Sequence, residues 1–103
     1  MMMMMMTNDR FARLREATAT ALLRGSGATP TELRESLARG SAPPELVALV
    51  EKIRNQAYTV TDQDVSALKG RYTEDQLFEI IIATAFGAAQ ERLAAARQAL
   101  ERT

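Results

Sequence analysis

Few side chains of this chain could do chemistry, and Glu79 is the first of them. It opens the hydrophobic run EIIIATAFGAA, residues 79–89. Burial among apolar side chains raises the pKa of a carboxyl group, which would make Glu79 a candidate general acid or base. The commoner role for such a residue is an exposed carboxylate or one paired with an arginine of another helix. Glu79 is therefore a weak catalytic candidate.

Aromatic side chains offer a second possibility. Tyr58, Tyr72 and Phe86 could line a small pocket, and Tyr58 would then be a second weak catalytic candidate. Packing in a core or at an interface is the more frequent role of such residues. Both interpretations remain open at the level of the sequence.

Two residue types are absent from the chain, and their absence excludes several kinds of catalytic and metal-binding site. The chain has neither Cys nor His. Disulfides, thiolate metal sites and cysteine nucleophiles are therefore impossible, and the commonest metal ligand and general base is absent. Acidic residues cluster at two predicted helix starts, where the helix dipole accounts for them. They are Asp62, Asp64, Glu74 and Asp75. We expect no metal site and no cofactor.

Charge and hydropathy narrow the class of partner. The chain of 103 residues carries 13 basic and 13 acidic side chains, so it has no basic excess for nucleic acid. No apolar run approaches the ~20 residues that span a bilayer. The opening run of six methionines lacks the basic flank and the length of a signal peptide, and we leave it out of the fold prediction. We expect a cytoplasmic protein with no nucleic-acid or membrane partner.

Start and stop signals of helices recur along the chain, whereas no segment alternates as a strand would. Glycines at 25, 40 and 70 end the apolar runs. Thr29, Thr61 and Thr73 are predicted N-caps, the first with Pro30 and Glu32 and the last with Gln76 in a capping box. These signals predict an all-α fold, a small domain of about five helices.

Each predicted helix has one apolar face except the last. The faces are Phe11, Leu14, Thr18 and Leu22; Leu33 and Leu37; Leu46, Leu49, Val50, Ile53 and Ala57; and Val65 and Leu68. From Leu77 to Ala89 the last helix is apolar nearly all round, which predicts cover on more than one side. The arginine pairs Arg13/Arg15 and Arg34/Arg39 are expected on solvated faces.

The connector GSGA, residues 25–28, predicts a division of the chain. Two glycines and no large apolar residue would couple the preceding helix weakly to the rest. We therefore divide the chain into an N-terminal arm, residues 1–28, and a helical domain, residues 29–103. The arm could bind a protein partner.

Gly87 interrupts the most hydrophobic helical run, although a glycine there costs about 0.5–1 kcal/mol relative to alanine. Small residues recur around it at spacings of four, which lets a second helix approach closely. A chain with few other helices can hardly cover every side of this run, whereas a second copy could. We therefore predict a homo-oligomer. The predicted interface residues are Ala83, Phe86, Gly87 and Leu93.

Several segments together resemble the carboxymuconolactone decarboxylase family, which has the alkyl hydroperoxidase D-like fold. They are VTDQDV, the helix start YTEDQLFE, the small-residue run IATAFGAA and the pair Arg92-Leu93. The resemblance covers residues 43–101. It implies alkyl hydroperoxidase D-like helix packing and assembly into dimers, trimers or larger rings.

The chain departs from this family at its reactive residues. Redox members resemble one another in a Cys-x-x-Cys pair followed by His, with a Glu that relays protons, and cysteine-free decarboxylases keep a His. This chain has no Cys or His, and Glu79 stands about one turn from the position of the family Glu, so that role is not transferred to it. The resemblance implies a non-redox, degenerate or accessory oligomeric subunit. The alternative is a cysteine-independent lyase or decarboxylase with a pocket between subunits.

The missing thiols generate the first prediction. Purified protein should show no peroxidase and no disulfide-exchange turnover, because the chain has no thiolate to attack a peroxide or a disulfide. Peroxide consumption and insulin reduction measure the two activities. Turnover that survives removal of contaminants and bound metals would contradict the prediction.

Overall fold

The computed structural model describes residues 12–102, and all regular structure in that range is helical. The N-terminal methionine run lies outside the described residues, and so does Phe11, which was predicted on the apolar face of the first helix. The helices are α1 (residues 12–24, with π-helical geometry over Thr20–Arg24), α2 (Thr31–Ala38), α3 (Val47–Gln56), α4 (Asp62–Ser66) and α5 (Glu74–Arg102). Short 3₁₀ turns at Pro44–Leu46 and Ala57–Thr59 flank α3. The all-α prediction is confirmed.

Two predicted helix starts have the expected caps. At α5, the Thr73 hydroxyl accepts from the amide of Gln76 at 3.1 Å, and the Gln76 side chain accepts from the amide of Thr73 at 2.9 Å. At α4, Thr61 and Asp64 exchange the same pair of bonds. Each capping box satisfies two amides that have no partner within the helix.

The predicted cap of α2 is wrong. The helix begins at Thr31 after Pro30 and has no side-chain cap. The hydroxyl of Thr29 instead donates to Glu79, a residue of α5 that lies fifty positions further along the chain. The Thr29 side chain is therefore used in a tertiary contact with α5 and does not cap α2.

The core lies where α2, α3 and α5 meet, with the turn after α4 closing one end. Its buried side chains are Leu37, Leu46, Leu49, Val50, Ile53, Leu68, Leu77, Ile80 and Ala83. The predicted inward faces of α2 and α3 supply most of this set. Leu23 of α1 packs against it from outside.

Helix α5 has two different faces along its 29 residues. One face is buried against α2 and α3 and consists of Leu77, Ile80, Ala83, Thr84, Gly87 and Ala88. The other face carries Phe78, which is 66 % exposed. Residues 91–102 are all exposed. The second side of the apolar run is therefore left uncovered by residues 12–102.

Gly87 lies at a close contact between helices, as predicted, and its partner is in the same chain. A Cβ built on Gly87 would lie 2.5 Å from the Cα of Ala38, at the end of α2. No real Cβ contact is that short, so only glycine lets the two backbones approach this closely. The dense packing of α2 on α5 offsets the helix propensity that Gly87 gives up.

Helix α1 runs antiparallel to α5. Leu14 shares a groove with Leu93, whereas the connector at Ala28 reaches back to Glu79. The predicted division after residue 28 falls inside this connection, and the described part of the arm packs on the domain instead of leaving it. None of the helices in residues 12–102 has the length and hydropathy that a membrane span requires.

Gly87→Ala tests the close approach. The added methyl group would overlap the backbone of Ala38, so the free energy of unfolding should fall by about 1–3 kcal/mol despite the better helix propensity of alanine. Gly70→Ala is the matched control, because nothing lies within 4 Å of a Cβ built there. Urea unfolding compares the two variants. Equal stability of both would contradict the contact.

Candidate functional site

The carboxylate of Glu79 binds the connector between α1 and α2. Its Oε2 accepts the amide of Ala28 at 2.6 Å, and its Oε1 accepts the amide of Thr29 at 2.9 Å and the Thr29 hydroxyl at 2.6 Å. The side chain is 23 % exposed. Three donors thus converge on one carboxylate.

Arg34 of α2 binds the same connector from the other side. Its Nη1 donates to the carbonyl of Leu22 at 3.1 Å, and its Nη2 donates to the carbonyls of Gly25 and Thr29. The residue is only 3 % exposed. Arg34 therefore caps the C-terminal end of α1, whose last carbonyls have no partner within the helix.

The two side chains form one unit, which we call the connector clamp (Arg34 and Glu79). Nε of Arg34 lies 3.9 Å from Oε1 of Glu79 and is buried without a hydrogen-bond partner in residues 12–102. Arg34 donates hydrogen bonds to backbone carbonyl oxygens, and Glu79 accepts hydrogen bonds from backbone amides. The backbone of residues 22–29 is therefore bound from both sides. The charges also neutralise each other.

The environment of Glu79 fixes it as a carboxylate, which corrects the expected raised pKa. The Thr29 hydroxyl and then the amide of Ala28 hold the pKa of Glu79 below its usual range. A general acid needs a proton near neutral pH, and a general base needs a free lone pair directed at substrate. Glu79 has neither, because its oxygens are occupied by the connector. Its role is to hold the connector.

Gly27 belongs to the clamp through its lack of a side chain. A Cβ built there would lie 2.6 Å from Oε2 of Glu79. The glycine thus gives the carboxylate room to reach the amides of Ala28 and Thr29. A larger side chain at this position of the connector would meet the Glu79 carboxylate.

A groove of about 580 Å³ lies between α1 and the exposed part of α5. Its lining residues are Leu14, Arg15, Thr18, Phe86, Ala89, Gln90, Leu93 and Arg97. The floor is apolar and two arginines stand at the rim. Leu14 is 58 % exposed and Leu93 is 45 % exposed, so this part of the surface is open.

One edge of the groove belongs to a longer apolar surface, which we call the α5 stripe. It consists of Phe78, Ile82, Ala85, Ala89, Leu93, Ala96 and Leu100. Successive members are separated by four, three, four, four, three and four residues, so they share one side of the helix. None of them is buried, and Leu100 is 76 % exposed. Six of the seven are exposed and Ile82 is half-buried, so the stripe is a continuous apolar surface that residues 12–102 leave largely open.

The structure does not bring the predicted aromatic residues together. Tyr58 is 87 % exposed in the turn after α3 and lines neither this groove nor a second one beside it. The hydroxyl of Tyr72 donates to Glu45 at 2.8 Å. Phe86 is half-buried under α1 and lines both grooves. No aromatic-lined pocket forms from these three residues.

The four predicted interface residues divide between the two faces of α5. Ala83 and Gly87 are buried in the core, whereas Phe86 and Leu93 face the groove. A subunit contact at these four residues stays a prediction. Phe86 lies next to the α5 stripe and Leu93 belongs to it.

Two of the four acidic residues at the helix starts, Asp64 and Glu74, have local partners. Asp64 accepts from Nζ of Lys52 at 2.9 Å and from the amide of Thr61, and the lysine is the main cause that lowers the pKa of Asp64. Glu74 lies 3.7 Å from Nζ of Lys69. Within residues 12–102 no three acidic side chains group as metal ligands.

Two features, the inward position of Arg34 and the α5 stripe, were not predicted from the sequence, although each has a recognisable spacing in it. Arg34 was expected on a solvated face, yet it lies three residues before Leu37 and so points to the same inward side of α2. The α5 stripe repeats after eleven residues, as in Phe78, Ala89 and Leu100. An eleven-residue spacing keeps one side of a nearly straight helix apolar.

Comparison with family models, with curated proteins and with solved structures found no match to the chain.

Glu79→Gln tests the clamp. The amide keeps the size of the side chain, but it loses the charge and presents an NH₂ group to one of the backbone donors. We expect the free energy of unfolding at pH 7 to fall by roughly 1.5–3 kcal/mol, the range for hydrogen bonds to a charged group. Urea unfolding measures it, with the exposed Glu101→Gln as control.

The pH dependence of this loss follows from the lowered pKa. A carboxyl group with a lower pKa in the folded state stabilises the fold above its unfolded pKa, and this contribution fades as the pH falls through the folded value. The difference between the parent and Glu79→Gln should therefore shrink in acid. A difference that is constant from neutral pH to strong acid would contradict the ionised clamp.

Proposed function

We propose that this chain is a non-redox accessory subunit that works by protein contact, with the α5 stripe and the adjoining groove as its contact surface. The stripe is the observation that carries the proposal. The stripe has seven apolar positions over about six turns of helix, six of them exposed and Ile82 half-buried, and one of the exposed residues is a phenylalanine. Extended apolar surfaces of this kind mark sites of protein association.

The shape of α5 supports contact rather than catalysis. The helix continues past the core over residues 91–102, where every residue is exposed. A helical extension with one apolar side presents a long, regular surface to another helix. Two of the partly or fully buried charged side chains, Arg34 and Glu79, are directed at the connector and bind its backbone.

Membership of the carboxymuconolactone decarboxylase-like family, with homo-oligomeric assembly, is part of this proposal. It is supported by the resemblance of residues 43–101 and is consistent with the all-helical fold. A degenerate member would have lost the reactive thiols and histidine while keeping the association of its helices.

The alternative, a cysteine-independent lyase with a pocket between subunits, draws less support. Glu79 is held by three donors, and Tyr58 is exposed at the surface and lines neither groove. Arginines at the groove rim, Arg15 and Arg97, would be the remaining candidates to bind an anionic substrate there. The residues that line the groove include no carboxylate that could act as a base.

Leu93→Glu tests the contact surface. Leu93 is the first stripe residue in the fully exposed part of α5, and a carboxylate there would be buried unpaired in a complex that uses the stripe. We expect association, followed by light scattering against protein concentration, to weaken by at least about tenfold, which corresponds to roughly 1.4 kcal/mol. The melting temperature should hardly change, because the site is exposed in the single chain.

Gln98→Glu is the matched control. Gln98 is exposed on the same part of α5 but points away from the stripe. The added charge is the same, so a general effect of charge on solubility or association would appear in both variants. Equal weakening by both, or no effect of Leu93→Glu on an assembly that does form, would overturn the stripe as the contact surface.

A further inference from the structure

We propose that the α5 stripe pairs with the α5 stripe of a second copy of this chain, antiparallel, about a two-fold axis at Ala89. The inference rests on the proposed function and specifies the partner and the geometry at the same surface. Its basis is that the pattern of the stripe is symmetric about its own centre.

Ala89 is that centre. Members of the stripe lie four, seven and eleven residues before it and four, seven and eleven residues after it. An antiparallel two-fold pair brings together residues at equal distances on opposite sides of the axis. Phe78 would then meet Leu100 of the second copy, and every stripe position would face a stripe position.

Side-chain sizes match in this arrangement. Ile82 would meet Ala96 of the second copy, and Leu93 would meet Ala85. In each of these intermediate layers a large residue packs on a small one. At the axis Ala89 meets itself, which lets the two helices approach closely. The bulkiest pair, Phe78 with Leu100, lies at each end, where the helices have room to diverge.

A parallel pair matches poorly. Each residue would face its own copy, so Ala85, Ala89 and Ala96 would leave gaps while Phe78 collided with Phe78. Voids and overpacking in alternate layers are both destabilising. The same residues that fit in one orientation are mismatched in the other.

The size of the surface requires α1 to take part. From Phe78 to Leu100 the stripe is about 33 Å long and a helix is about 10 Å wide, which gives a footprint of about 330 Å². Stable interfaces bury about 800 Å² from each partner. The groove beside the stripe supplies further surface, with Leu14 of α1 exposed at its edge. The antiparallel pair would therefore form a layer of four helices, α1 and α5 from each copy.

Cysteine cross-linking tests the geometry, because the chain has no cysteine of its own. Three single variants are prepared in the full chain: Ala89→Cys, Ile82→Cys and Ala96→Cys. Each is oxidised mildly alone, and the last two are also oxidised as an equal mixture. Gln98→Cys, off the stripe, measures random collision. Light scattering of the parent from about 1 to 100 µM shows whether it associates in the range expected of a small interface.

The antiparallel pair predicts a distinctive set of products. Ala89→Cys should form a disulfide-linked dimer alone, since facing Cα atoms on helices about 10 Å apart are about 5 Å apart, within disulfide range. Ile82→Cys alone and Ala96→Cys alone should remain at the level of Gln98→Cys, because each is about 21 Å from its own copy along the axis. Their mixture should give the mixed dimer, identified by its mass.

Other outcomes separate the two proposals. Self-linked dimers of Ile82→Cys without the mixed product would overturn the antiparallel pairing and leave the stripe as a contact surface. Association that persists in Leu93→Glu would overturn the stripe itself. A parent chain that stays monomeric over the whole concentration range would overturn self-association, and with it the oligomeric subunit.

Discussion

Arg34 and Glu79 bind the connector between α1 and α2 from opposite sides, and the position of α1 depends on them. Arg34 satisfies the carbonyls at the end of α1, and Glu79 satisfies the amides that precede α2. A connector with two glycines has little side-chain packing of its own, so these bonds replace it. Because Glu79 belongs to α5 and Arg34 to α2, the same clamp joins three helices.

The clamp and the contact at Gly87 together determine which side of α5 remains open. Because Gly87 has no side chain, α2 lies directly on α5. The clamp binds the connector between α1 and α2, so that α1 lies alongside α5. Helices α2 and α3 cover one face of α5, and α1 covers only the border of the other. The α5 stripe is uncovered as a consequence of this arrangement.

Much of the fold was predictable because its signals are local. The capping boxes at Thr61 and Thr73, the inward faces of α2 and α3 and the end of α1 at Gly25 involve residues a few positions apart. Thr29 and Glu79 were not predictable in this way, because the bond between them spans fifty positions and its three donors come from the connector. The composition of the run around Glu79 predicted burial with a raised pKa, whereas donors that no local pattern reveals produced the opposite shift.

Two demands on α5 explain its unusual composition. An isolated helical end is marginal in water, and alanine, which recurs over residues 94–99, has the highest helix propensity, so it helps the exposed part to persist. Propensity alone would be met equally well by charged residues on every side. Large apolar side chains at Leu93 and Leu100 within this extension are needed neither for the helix nor for the core. Apolar residues that neither the helix nor the core requires are what the proposed contact surface would need.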